Sequence, residues 1–189
     1  ALQGQLDTRS EAYEIELRCD SFPLNRFLPA DSLGLLDLAL QAGGSGFDPL
    51  RAQTRGNIRL QVDRAEFRGR DFVGVELNAN LEGGQLSGRL SDRDEALRLL
   101  LLVSGTLTER KQEVRLTGNV FDFDLAELGI SPQKIGGSFA LEAGASASDA
   151  GSYTARIALD SIEVRTRHRT DRILSLIHIS EPTRLLSIS

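Results

Sequence analysis

Tyr13-Glu14-Ile15-Glu16-Leu17-Arg18-Cys19-Asp20 alternates apolar and charged residues without a break. Successive side chains of a β-strand point to opposite faces, so this period of two gathers Tyr13, Ile15, Leu17 and Cys19 on one side. A helix, with its period of 3.6, would scatter them. The stretch therefore predicts a half-buried strand. The same pattern recurs in both directions along the chain. Leu36, Leu38, Leu40 and Ala42 repeat it. Ile58, Leu60 and Val62 follow, and then the phase slips at Asp63-Arg64 before Ala65 and Phe67 resume it, which predicts a bulge or tight turn. Val73, Val75, Leu77, Ala79 and Leu81 lead into Gly83-Gly84, a hairpin signal, and Leu86, Gly88 and Leu90 return. Four more strands are predicted around Leu97–Val103, Val114–Val120, Phe139–Ala145 and Tyr153–Leu159. Ile162 and Val164 continue the last one after a second slip.

Three segments break the pattern. Asp94 to Leu100 has good helix formers and an acidic start, but turn residues bound it on both sides, and it is assigned to a strand. Pro23–Leu28 and Leu125–Leu128 read as short helical or irregular pieces. The glycine pairs Gly43-Gly44 and Gly136-Gly137 are assigned to turns at strand ends. The fold class expected is all-β: an antiparallel meander of about nine strands, curled into an elongated sheet with an apolar groove and little helix.

Composition narrows the function classes. Hydrophobic residues make up 40% and charged residues 26% of the 189, the balance of a folded chain rather than a disordered one. Trp and Met are absent and aromatics are 5%, so the apolar surface is aliphatic. The missing Met leads us to expect either a removed signal peptide or a piece of a longer protein. A net charge of -5 speaks against nucleic acid as a partner, because a phosphate backbone recruits a basic footprint. The longest uninterrupted apolar run, Leu99 to Val103, is far short of the ~18 residues of a membrane helix. Cys19 is the lone cysteine, which leaves no disulfide within the chain, and it reads as a small buried hydrophobe.

Catalytic and metal-binding patterns are missing. His168 is the one histidine outside the C-terminal tail, and with a single Cys it cannot build a zinc site without carboxylates. The pairs Glu14/Glu16, Asp92/Asp94 and Asp122/Asp124 each place two carboxylates on one side of a strand, which suits a solvated face better than a calcium site. No GxGxxG, Walker or GxSxG pattern occurs. The expectation is a non-enzyme with no cofactor and no metal.

An offset of 101 residues lays Phe22–Gly43 on Phe123–Gly144 with six identities in 22 positions, Phe22/Phe123, Leu24/Leu125 and Ala39-Leu40/Ala140-Leu141 among them. A long-period β repeat implies an elongated stack. Residues 1–173 are read as about one and a half repeats of ~100 residues, the second cut short. Residues 174–189 are read separately. From Ser175 the run Leu176-Ile-His-Ile-Ser-Glu-Pro-Thr-Arg-Leu-Leu-Ser-Ile-Ser189 closely resembles translated read-through of a sequencing adapter. It is expected to be a non-native tail that pairs with nothing.

The remaining candidate for function is the apolar face itself. Its expected lining is Ile15, Leu17, Leu38, Leu40, Leu60, Val75, Leu77, Leu99, Leu101, Leu116, Leu141, Ile157 and Leu159. In a β-sandwich two such faces would cover each other; in an open sheet one face would line a groove. The repeat, the scarce aromatics and the run of hairpins favour the groove. The alternative is a structural or adhesive β-solenoid or sandwich module of a bacterial surface protein, with a dry, closed core.

Several stretches together resemble the AsmA-like superfamily, above all its TamB-type envelope proteins. They are Phe22-Pro-Leu-Asn-Arg-Phe-Leu-Pro29 with Leu33-Gly-Leu-Leu-Asp-Leu-Ala-Leu40, Gly56-Asn-Ile-Arg-Leu60 leading to Phe72-Val-Gly-Val-Glu-Leu77, Gly83-Gly-Gln-Leu-Ser-Gly88, and Phe123-Asp-Leu-Ala-Glu-Leu128. The resemblance covers residues 1–173 and rests on alternation and turns. It implies a periplasmic section of a protein anchored in the inner membrane of a Gram-negative-type bacterium. The implied role is shielding phospholipid acyl chains on the way to the outer membrane, or aiding outer-membrane protein assembly beside a β-barrel partner. No family catalytic residue carries over.

Overall fold

The computed structural model describes residues 1–26, 33–147 and 152–184, with only the backbone described at 152 and 174–184. Phe27, Leu28 and Pro29 of the first apolar hook lie outside the described residues. The strands are β1 (Leu2–Asp7), β2 (Ala12–Pro23), β3 (Leu33–Ser45), β4 (Arg55–Phe67), β5 (Arg70–Phe72), β6 (Val75–Glu82), β7 (Gln85–Arg93), β8 (Leu97–Leu107), β9 (Gln112–Asp124), β10 (Ile135–Ala147), β11 (Ser152–Thr166) and β12 (Thr170–Arg184). A single 3-10 turn, Leu24–Arg26, is the one helical element among the described residues. Every neighbour is antiparallel and, but for the short β5 beside β4, each strand pairs with the next in the chain. The expected all-β antiparallel meander is thus what forms, as one open twelve-stranded sheet.

Turn chemistry sets this order. Arg68 and Gly69 take φ of 53° and 74°, and Gly83 and Gly84 take 58° and 75°. Two consecutive left-handed residues make the two-residue turn whose twist matches the flanking strands, and they close β4–β5 and β6–β7. Gly44 serves differently. It lies inside β3 rather than in the turn expected there, and a Cβ would come within 2.7 Å of the Tyr13 hydroxyl and 2.2 Å of the Arg55 carbonyl. Gly136 and Gly137 likewise lie inside β10, not in a turn. Of the segment 94–100, expected as strand throughout, residues 97–100 begin β8, where strands pair on both sides, and residues 94–96 form the turn between β7 and β8.

The phase slips are bulges. Register shifts occur in β2 at Asp20-Ser21, in the β3–β4 ladder near Asp63, in β9 at Phe121 and in β11 near Ser161. Ser21 and Ser161 take φ near +50°, an unusual conformation for a residue with a side chain. The bulge at Ser21 is tied down: its N–H donates to Asp37, and the Arg64 guanidinium donates to the same carboxylate at 2.7 Å. These contacts hold the Asp37 carboxyl below its ordinary value, the Ser21 N–H contributing most.

The 101-residue offset reappears in the hydrogen-bond register. Cys19 pairs with Leu38 and Val120 with Phe139; Leu17 pairs with Leu40 and Gly118 with Leu141; Phe22 pairs with Leu36 and Phe123 with Gly137. The hairpins β2–β3 and β9–β10 share one register, down to the two-against-one bulge.

The C-terminal segment departs from expectation. Residues expected to pair with nothing form β12, which runs along β11 from Arg165↔Thr170 to Ser152↔Arg184. β11 would otherwise end the sheet with unpaired N–H and C=O groups, and any extended segment of suitable length satisfies them.

Candidate functional site

Residues directly opposite in an antiparallel ladder share a face, so the pairings trace rows across the sheet. One row runs Leu2, Leu17, Leu40, Leu60, Leu77, Leu90, Leu101, Gly118, Leu141, Leu159. Two residues along the strands, a second runs Gly4, Ile15, Ala42, Ile58, Ala79, Gly88, Val103, Leu116, Ala143, Ile157. Leu38 pairs with Val62, Val62 with Val75, and Leu99 with Val120, extending the face by a third row. All thirteen residues expected from the alternation therefore lie on one face. The row between the first two, on the other side, reads Gln3, Glu16, Gln41, Arg59, Asn78, Arg89, Leu102, Thr117, Glu142, Ala158. Leu102 and Ala158 are apolar in that row, Leu100 lies on the same side, and Leu102 is 49% exposed.

No second layer covers the apolar face among the described residues. Substantial packing runs only between ladder neighbours and between β3 and the 3-10 turn. The buried apolar residues are Ala96, Leu101 and Val120, and among the described residues no large side chain is fully sealed from solvent. Ile15 and Ile157 are 40% and 45% exposed; apart from Leu101, the other expected lining residues are half-buried. The chain exposes 13170 Å², against about 8,900 Å² for a compact monomer of this mass. A sandwich of this length would have hidden most of these leucines.

The rim is where the sequence reading missed a feature. Arg70 reaches Asp94 at 2.8 Å and Glu127 at 2.9 Å, and the Arg68 guanidinium donates to the Gly129 carbonyl at 2.6 Å. β4 and β9 are four ladder steps apart, roughly 19 Å on a flat sheet, so these bonds draw the rim together over the β7–β8 turn. Asp94 is buried and also accepts the N–H groups of Val73 and Ala96. Ala96 beneath it is 0% exposed. The three acidic pairs separate in role. Asp94 belongs to this clasp, Asp122 pairs with Arg165, and Asp124 caps the turn through the N–H groups of Ala126 and Glu127. Glu14 and Glu16 stay solvated on the polar face, and no group of three or more metal-ligating side chains occurs among the described residues. A recess of about 480 Å³ beside the clasp is lined by charges of both signs, including Arg70, Asp122, Glu127, Lys134 and Arg165.

Asp92 stands on the apolar face opposite Leu99 and is buried. Burial first, then the Asp94 charge, pushes its carboxyl above the ordinary 3.8, against the opposing N–H of Asp94. A carboxyl raised in the folded state costs stability as pH climbs through the folded value. Asp92→Asn keeps an oxygen for the Asp94 N–H and removes the charge. The variant should melt higher than the parent at pH 7, and melting curves should converge as pH falls below 3.8. An unchanged difference across that range would contradict the assignment.

The geometry thus defines a class, an open single-layered β sheet with one long uncovered aliphatic face. Comparison with protein-family models, with curated proteins and with solved structures returned no match. No described helix is long and apolar enough to cross a membrane.

Proposed function

We propose that this chain is a non-enzymatic section of a periplasmic, envelope-spanning protein whose aliphatic face shields phospholipid acyl chains between two membranes. The observation that carries the reading is the row of seven leucines from Leu2 to Leu101 with no covering layer. Each methylene left in water costs about 0.8 kcal/mol, so two chains of ~15 methylenes bared together cost on the order of 20 kcal/mol. A carrier has to cover them along the whole path. Eleven strands in the ladder order, spaced ~4.8 Å apart, give a face about 50 Å long. Walls that are aliphatic but for Asp92 at one end of the face suit a ligand that slides. The resemblance to TamB-type proteins supports the same reading and adds an outer-membrane β-barrel assembly partner as a second proposal. The alternative of a structural or adhesive module with a dry core needs a covering layer, which the described residues do not supply.

The test places a photoreactive amino acid at Leu60 or at Arg59, adjacent positions on opposite faces. The chain is purified from a Gram-negative host or mixed with phosphatidylethanolamine–phosphatidylglycerol vesicles. Crosslinked phospholipid is expected at position 60 and in at least tenfold lower yield at 59. Equal yields, or none at 60, would overturn the reading.

A further inference from the structure

The two ends of the strands differ in chemistry. At one rim, the recess of about 480 Å³ beside the clasp is lined by four basic and four acidic side chains. At the other, a recess of about 290 Å³ between Val114, Ala145, Ala155 and Tyr153 has no charged residue in its lining. The charged recess straddles its rim. Arg70 comes from the apolar side: its guanidinium lies 4.9 Å from the Phe72 ring, and Phe72 continues the apolar pair Leu36 and Ala65. Asp122 and Arg165 come from the polar side, opposite Arg98 and Gly136. Phe123 also lines the recess, and its ring meets that of Phe139 at 6.0 Å, beside the Leu99–Val120 pair of the apolar face. A group seated in the recess therefore adjoins the aliphatic face.

Some of these charges are already committed. Arg70 serves Asp94 and Glu127, Arg165 pairs with Asp122, and Asp124 accepts two turn N–H groups. The side chains of Lys134, Arg167 and Glu95 have no ion-pair partner among the described residues. The lining as a whole carries no net charge, so a simple anion meets as many carboxylates as cations. A ligand with one charge of each sign finds a partner for both. At ~30 Å³ for a water-sized atom, the recess has room for the roughly eight heavy atoms of a phosphoethanolamine group.

We propose that this recess is a headgroup subsite for a zwitterionic phospholipid of the phosphatidylethanolamine type, whose acyl chains lie on the adjoining aliphatic face. The proposal rests on the reading of that face as a lipid surface. Lys134 and Arg167 donate to the phosphodiester, and Glu95 accepts from the ammonium; such charge-assisted bonds are roughly twice as strong as neutral ones. An acyl chain reaches about 15 Å, half the ~30 Å hydrocarbon thickness of a bilayer. A strand rises ~3.4 Å per residue, so a chain laid along β9 from Phe123 ends near Gly118, in the leucine row. The lipid is thereby oriented, its headgroup at the clasp rim and its chain ends towards the uncharged one.

The test displaces a fluorescent fatty acid from the 189-residue chain with dioctanoyl lipids that differ only in headgroup. Dioctanoyl-phosphatidylethanolamine should displace it at a concentration at least about tenfold below that of dioctanoylglycerol, and below that of dioctanoyl-phosphatidylglycerol. Lys134→Ala/Arg167→Ala should abolish the advantage over dioctanoylglycerol, and Glu95→Gln the advantage over phosphatidylglycerol. Neither variant should change displacement by dioctanoylglycerol or the melting temperature, because the three side chains hold no partner in the fold. Free phosphoethanolamine should not displace the probe. Equal displacement by phosphatidylethanolamine and dioctanoylglycerol would overturn the subsite alone, as would a preference for phosphatidylglycerol or an unchanged advantage in both variants. A fatty acid that fails to bind the parent would overturn the lipid reading of the face, and this proposal with it.

Discussion

Arg70→Ala should cost the fold about 3 kcal/mol, because it strips a buried carboxylate of its cation. The Asp94 side chain is 3% exposed, and the guanidinium that reaches it at 2.8 Å is 24% exposed. Two backbone N–H groups still bind Asp94 in the variant, which keeps the loss at the lower end for a broken buried pair. For a chain of this length a loss of that size lowers the melting temperature by roughly 6–12 °C. Glu127, the other partner, is 52% exposed, so Glu127→Ala should cost under about 1 kcal/mol. Asp94→Ala removes the acceptor of Arg70, Val73 and Ala96 together and should be at least as damaging as Arg70→Ala. In the double variant Arg70→Ala/Asp94→Asn the buried charge is gone, and part of the stability should return. Thermal melts of the four chains test this; an Arg70→Ala chain within a degree of the parent would show that the clasp does not hold the rim.

The second large effect separates an open face from a closed core. Leu77→Arg places a cation in the leucine row between Leu60 and Leu90. Leu77 is half-buried with no layer above it, so the guanidinium can bend its charged end into water and lay its methylenes along the neighbouring leucines. The chain should remain folded, with melting lowered by only a few degrees. Phospholipid crosslinking from Leu60 should fall at least tenfold, because a charge then stands where acyl chains would pass. Leu101→Arg is the contrast: at 9% exposure its charge is buried, and the variant should lose several kcal/mol and much of its folded yield. If Leu77→Arg unfolds the chain as readily as Leu101→Arg, the face is covered. If it folds and crosslinks lipid undiminished, the face does not carry lipid.

Alternation alone located nine of the twelve strands, their antiparallel order and the membership of the apolar face. Ile15, Leu17, Leu60, Leu77 and Leu141 share that face because a strand's side chains alternate regardless of its neighbours. The slips at Asp63-Arg64 and before Ile162 were legible for the same reason. An extra residue in one strand shifts the phase of everything after it. The three strands missed each lacked a local signal. β1 is short and centred on Gly4, β5 has three residues, and β12 lies in a segment whose composition pointed to a foreign origin.

Asp92 and Asp94 show the limit of local reading. Two residues apart, they read as a solvated pair, yet one is buried on the apolar face and the other beneath Arg70. Arg70 and Glu127 are 57 residues apart in the chain, and no local pattern relates them. The period of the side chains depends only on backbone geometry, so the sequence by itself determined that there is one apolar face and which residues own it. Whether that face meets another sheet or stays open, and where the rim is clasped, depends on contacts between distant segments, which only the tertiary structure decided.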